Sequence, residues 1–224
     1  MTSIYNPKTR FLVVDIETTK PKAKGEKGFI FDISFGVFSR KDGVLGKIGY
    51  IVKENESKTP WYEDRLTKYR NYLASGKYQV KGFAEIVAIM KKIIDKYQVE
   101  YVTAYNLKFD KDDYIERVCK ELGIESPFKN LKAFDIWQGA AETLGQRKSY
   151  KNFTDTNGFV HPTGNRMSGA EIMYRYMTNQ PDFVEEHTGL ADIEIEMELL
   201  DRILRQKKKM SKTYGKGAWR LVQG

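Results

Sequence analysis

Cysteine is almost absent from this sequence: Cys119 is the only one in 224 residues. No disulfide can form within the chain, so packing alone must hold the fold. Long apolar runs are missing too. None reaches the roughly 18 residues that a membrane span requires. Met1 to Arg10 is polar and lacks the apolar centre of a secretory signal. The expectation is a soluble, cytoplasmic protein with no membrane partner. Negative charge is in deficit: 38 Lys and Arg oppose 30 Asp and Glu, a net +8, with a pI near 9.3. That excess favours polyanions, because neutralised phosphates release their counterions. Charge alone leaves a basic protein without such a partner equally open. What is present is apolar material, 41% of residues, enough for one sizeable core. There is no internal repeat and no interdomain linker.

The chain opens on short β-branched runs. Phe11 to Glu17 reads as a buried strand interrupted by two carboxylates. Thr18 to Lys27 is a polar loop. Phe29 to Ser39 and Val44 to Val52 return as strands around the turn Lys41-Asp42-Gly43, an antiparallel meander. Glu63 to Ala74 and Gly82 to Tyr97 then carry helical spacing, the second with Phe83, Ile86, Ile89, Met90, Ile93, Ile94 and Tyr97 on one face. Val99 to Tyr105 reads as a strand, Asp110 to Leu122 as a helix, and Lys132 to Trp137 as a strand. This alternation implies parallel pairing and an α/β layered fold. Ser168 and Glu171 form a capping-box pattern that predicts a helix from Ser168 to Thr178. The last helix runs from about Gly189 to Gln206, with Leu190, Ile193, Met197, Leu200 and Leu204 in one stripe. Beyond it the chain turns basic and loses its apolar period. The expected division is a domain over 1–205 and a flexible or induced-fit basic tail over 206–224.

Asp15 and Glu17 carry the first chemical signal. Residues two apart on a strand project from one face. A bare pair of carboxylates is costly to bury unless a cation compensates it. A metal would do so; a lysine or arginine is the blander answer. Asn106 and Asp110 follow the strand that ends near Tyr105, at the end where open α/β sheets carry function. Asp110 also suits a helix N-terminus electrostatically, and Asn106 a turn. In Glu186-His-Thr-Gly-Leu-Ala-Asp192, His187 lies five positions before Asp192, about 500° of helical rotation. The two cannot share a helix face, so His187 is placed in the preceding loop. Its ordinary pKa suits a general base near neutrality.

Together, Val14-Asp-Ile-Glu-Thr-Thr19, Ala104-Tyr-Asn-Leu-Lys-Phe-Asp110 and Glu186-His-Thr-Gly-Leu-Ala-Asp192 resemble the three ordered motifs of the DEDDh 3′→5′ exonucleases. That group includes the proofreading subunit of bacterial replicative polymerases, ribonuclease T and oligoribonuclease. The resemblance spans roughly Arg10 to Leu204. It departs from the usual pattern at Lys20, where many members have glycine, and at Gly189, where alanine is usual. It implies a ribonuclease H-like mixed sheet, its first three strands antiparallel and the later ones parallel, flanked by helices.

The resemblance further implies two Mg²⁺ or Mn²⁺ ions held by Asp15, Glu17, Asp110 and Asp192, ions that oxygen ligands favour. His187 would take the proton of the attacking water. Thr18, Thr19, Asn106 and Phe109 would contact the 3′-terminal nucleotide, Phe109 being equally suited to core packing. Asp112, Asp113, Asp135, Glu194 and Glu196 are read as solvated helix charges or local hydrogen-bond partners, and His161 as a loop residue. Net charge and the Lys207–Lys216 stretch favour single-stranded DNA or a mispaired 3′ end, with RNA as the alternative. A separate DNA polymerase is a possible partner. The rival reading is a nuclease fold kept only for binding.

Overall fold

The structure is a computed structural model and describes residues 3–19, 27–58, 62–211, 214–215 and 217–223. Six strands form one sheet: β1 (Phe11–Thr18), β2 (Ile30–Ser39), β3 (Gly43–Val52), β4 (Tyr78–Lys81), β5 (Tyr101–Ala104) and β6 (Lys132–Asp135). Their spatial order is β4-β3-β2-β1-β5-β6. β1 to β3 form the antiparallel meander. β5 runs parallel to β1, β6 to β5, and β4 to β3. This is the mixed sheet expected of a ribonuclease H-like fold. The short β4, four residues, was not legible in the sequence.

The helices are α1 (Tyr62–Ala74), α2 (Phe83–Tyr97), α3 (Arg117–Glu121), α4 (Ile136–Thr143), α5 (Lys148–Thr156), α6 (Ala170–Thr178) and α7 (Gly189–Arg205). Two cores lie on opposite faces of the sheet. Alternation along β1 sends Leu12, Val14 and Ile16 to one, with Phe83, Ile86 and Met90 of α2. Phe11 and Val13 go to the other, with α4, α6 and α7. β2 is buried along its whole length, as a central strand covered on both faces must be. No helix among the described residues is long and apolar enough to cross a membrane.

Three local expectations are corrected. The segment expected as a regular helix from Asp110 begins as a π-helix, Lys108–Glu116, and becomes α-helical only at Arg117. Its ion pairs show the wider winding: Lys108 with Asp113 at 2.7 Å and Lys111 with Glu116 at 3.0 Å are each five residues apart. Secondly, Ser168 does not cap α6; Gly169 holds that position without a side-chain bond. Ser168 Oγ instead accepts Trp137 Nε1–H at 3.0 Å, and Glu171 pairs with Arg175. Thirdly, Ile136 and Trp137, read as the end of a strand, open α4, because the Asp135 carboxylate accepts the Gln138 N–H at 2.8 Å and caps it.

The described residues of 206–224 pack against the domain rather than hanging free. Met210 packs on the α4 side of the core, and Ala218–Val222 forms a 3₁₀ turn whose Ala218 and Val222 are buried there. Tyr214 reaches Asp112 of the π-helix at 3.3 Å. Lys207, Lys208 and Lys209 stay exposed. The basic composition hid the few apolar residues that anchor this segment.

Candidate active site

Asp15 and Glu17 continue the face of β1 that Phe11 and Val13 begin, so both project beneath α7. Directly opposite them on β2 stand Ser34 and Asp32. The pairing shifts register after Glu17, which ends the regular ladder at the acidic pair. Asp110 comes from the other side of β1: its Oδ1 accepts the Ile16 N–H at 3.2 Å. The turn leading to it is fixed by Asn106, whose φ is 76°, and by Asp135, whose Oδ2 accepts the Leu107 N–H at 3.0 Å.

Asp192 enters from α7. The start of this helix has no cap from its own Thr188. β2 and β4 satisfy its free N–H groups instead. Asp32 Oδ2 accepts the Gly189 N–H at 3.1 Å, and the Tyr78 hydroxyl accepts the Leu190 N–H at 2.9 Å. Asp32 also accepts Tyr69 OH and Tyr78 OH at 2.7 Å each and Ser34 OH at 3.0 Å. Even with four donors, burial prevails and pushes the Asp32 carboxyl up to about 6. This contact explains Gly189. A Cβ there would lie 2.9 Å from the Ser34 side chain and 3.0 Å from Asp32 Oδ1. Lys20, the other departure from the motif, lies outside the described residues.

His187 stands half-exposed at the rim in a left-handed conformation, φ 55°, uncommon for a residue with a side chain. Its Nδ1 is 3.6 Å from Glu185. Glu185 in turn bears on Asp192. His187 therefore meets the acids through Glu185.

The acids act on one another. Burial, then Asp110, Asp192, Glu196 and Glu17, hold the Asp15 carboxyl well above the usual range. Burial, then Glu185 and Glu17, push Asp192 up to about 9. Burial raises Asp110 against the opposing bond from Ile16 N–H. No lysine or arginine is among the leading influences on these groups. Asp15 Oδ2, Asp192 Oδ1 and Glu196 Oε2 are buried with no hydrogen-bond partner. Yet among the described residues no three Asp, Glu, His or Cys side chains already close around one point as ion ligands. The arrangement is a convergent set of oxygens, short of a finished cage. Orphaned buried oxygens in an all-carboxylate set are what a hard divalent cation requires, so these residues fit such an ion.

Glu196 corrects the sequence reading. It is 2% exposed, not a solvated helix charge. One turn after Asp192, it lies on the same helix face, and that spacing was the available signal. Asp135 is the local partner expected, and Asp112 and Asp113 pair with neighbouring lysines. His161 is a loop residue whose Nδ1 meets Thr163.

The proposed nucleotide contacts are placed unevenly. Thr18 ends β1, partly buried. The Thr19 hydroxyl is engaged in closing the loop, accepting the Phe29 N–H at 2.8 Å. Asn106 serves the turn, its carbonyl accepting the Phe109 N–H at 2.8 Å. Phe109 packs on Tyr114, ring centres 4.7 Å apart, against the α2-side core.

This sheet order is that of the ribonuclease H-like fold. Solved structures with it include the nuclease domain of 3′hExo, a DEDDh family member, bound to rAMP. The match has a TM-score of 0.61 at 11% identity over 90% of this chain and 96% of that one. E. coli Exonuclease I in complex with a dT13 oligonucleotide matches at 0.55 and 13%, over 87% of this chain and 41% of that one. Cell-death related nuclease 4 matches at 0.50 and 12%, over 92% and 67%. The fold is thus that of DEDDh-type 3′ exonucleases. No family model and no curated protein sequence matches the chain.

Proposed function

We propose that this protein is a metal-dependent 3′→5′ exonuclease that releases nucleoside 5′-monophosphates. One observation carries the reading. Carboxyls from three distant segments act on one another, with buried oxygens left unpartnered. Asp15, Glu17, Asp110 and Asp192 would hold the cations, Mg²⁺ or Mn²⁺. Bound there, such ions supply charge to activate water and to stabilise the leaving 3′-oxygen. His187 accepts the proton of the attacking water at the exposed rim, where substrate can reach it. Glu185 lies 3.6 Å from its Nδ1, beside the ring that carries this proton. Thr18 and the turn at Asn106 border the path of the terminal nucleotide, and Phe109 flanks it.

The substrate reading is single-stranded DNA or a mispaired 3′ end. The net charge of +8 and the exposed Lys207 to Lys209 favour a polymer whose phosphates extend beyond the site. RNA is the second reading, favoured by the rAMP-bound relative in fold. The exonuclease domain is assigned to 1–205 and an attached basic segment to 206–224. A cytoplasmic location and a separate DNA polymerase as partner belong to the same proposal.

The test is incubation with end-labelled single-stranded and duplex DNA and RNA in Mg²⁺ or Mn²⁺. Mononucleotides should leave stepwise from the 3′ end, and EDTA should stop the reaction. Internal cuts, or full activity in EDTA, would overturn the reading. Strand binding without turnover in either ion would leave a binding module.

A further inference from the structure

Glu196 is a full carboxylate placed where a neutral group would serve the local structure. Its Oε1 accepts the Tyr105 N–H at 2.9 Å, just past the end of β5. Tyr105 is held there independently: its ring stacks on Trp137, centres 6.1 Å apart, and its hydroxyl bonds the Ser168 carbonyl. A glutamine could accept the same N–H without burying a charge. The other oxygen, Oε2, is buried and has no partner. The charges that bear on it most are Asp110, Asp192 and Glu185, all of its own sign. A carboxylate so placed is destabilising unless a cation offsets it.

We propose that Glu196 is a further acidic positioning residue of the cation site. It ties the turn that leads to Asp110 against the helix bearing Asp192, and its unpartnered oxygen would add negative charge behind the residues that hold the cations. This rests on the cation-dependent reading above. Such a group acts through the ligands, by orienting them and adding charge behind them.

The experiment is thermal unfolding of the full chain, stripped with EDTA and then titrated with Mn²⁺ or Mg²⁺. Wild type is compared with Glu196→Gln, which keeps the N–H acceptor and removes the charge. Glu194→Gln, at an exposed site on the same helix, is the control. Stripped Glu196→Gln should unfold at or above the wild-type temperature. Its cation concentration for half-maximal stabilisation should rise about tenfold, as loss of outer-sphere support does. The control should titrate as wild type.

A wild-type cation midpoint in Glu196→Gln overturns the proposal, as does a lower stripped melting temperature with an unchanged cation response. Those results mark a purely structural glutamate. A wild type that neither ion stabilises overturns the cation reading itself, and this inference with it. If Glu196→Gln does not fold, Glu196→Met, of similar length and without charge, is judged by the same two measurements.

Discussion

Asp32 and Gly189 lie 157 positions apart in the chain and meet at 3.1 Å, the Gly189 N–H donating to Asp32 Oδ2. Through this contact the start of α7, with His187 just before it and Asp192 just after, is fastened to the centre of the sheet. Tyr78, from the edge strand β4, bonds both Asp32 and the Leu190 N–H. Tyr78→Phe keeps the ring and removes that bridge, leaving Leu190 N–H and Asp32 each short of a partner. The expected cost is about 1–3 kcal/mol, read as a lower urea midpoint. A loss of nuclease rate should accompany it, because Asp192 is held less firmly. An unchanged midpoint would show that the hydroxyl is dispensable.

The acids themselves should behave differently. Asp15→Ala and Asp192→Ala each remove a carboxylate from a self-repelling buried group. The metal-free protein should therefore stay folded by circular dichroism while hydrolysis disappears. His187→Ala should slow hydrolysis by about 10²–10⁴-fold, the range for loss of a general base. Its half-exposed position predicts little change in melting temperature. Residual rates near wild type in any of the three would remove that residue from the mechanism.

Asp32 also sets a pH dependence. Its folded-state carboxyl is raised to about 6, above the ordinary value near 3.9. A raised acid favours folding while it is protonated. Its contribution is therefore full below about pH 4 and is lost as pH rises through about 6. Asparagine at this position does not titrate. The stability of metal-free wild type relative to Asp32→Asn should fall by roughly 2–3 kcal/mol between acid and neutral pH. Paired denaturation curves at several pH values check this; a difference that stays flat, or grows with pH, contradicts it.

The basic segment calls for point changes. Deleting it would uncover the sites of Met210, Ala218 and Val222, and would confuse loss of phosphate contacts with loss of stability. Replacing exposed Lys207, Lys208 and Lys209 with glutamine leaves those anchors in place. If these lysines track phosphates, the plot of log affinity for single-stranded DNA against log salt should become shallower by up to about 2. An unaltered slope would assign them no phosphate contact.

How much of this was legible depended on spacing. The pair Asp15 and Glu17 showed itself because a strand alternates strictly. Asp110 and Asp192 could each be explained as helix-terminal charges, and only the order of the three segments set them apart. Glu196 was passed over because α7 carries Asp192, Glu194, Glu196, Glu198 and Asp201, a pattern that suits an exposed face. Nothing in one sequence reveals that this helix lies between the sheet and α4 and α6, and so has little exposed face. Asp32 and Tyr78 were missed for a related reason. Their roles arise from contacts among β2, β4 and α7, none of which is a local pattern. The terminal anchors Ala218 and Val222 were masked by the lysines before them.

The π-helical winding of Lys108–Glu116 bears on how the molecule tolerates change in length. Its charge pairs are spaced for a coil wider than the usual 3.6 residues per turn, and the same wide coil turns Asp110, Tyr114 and Ile115 inward together. Each residue of such a coil turns through less than the roughly 100° of an α-helix. A one-residue deletion here, with tightening to α winding, is therefore partly absorbed, whereas the same deletion inside the regular α7 would turn everything beyond it by about 100°. The wide coil is thus where the chain best takes up a change of length, beside the carboxylate whose aim it sets.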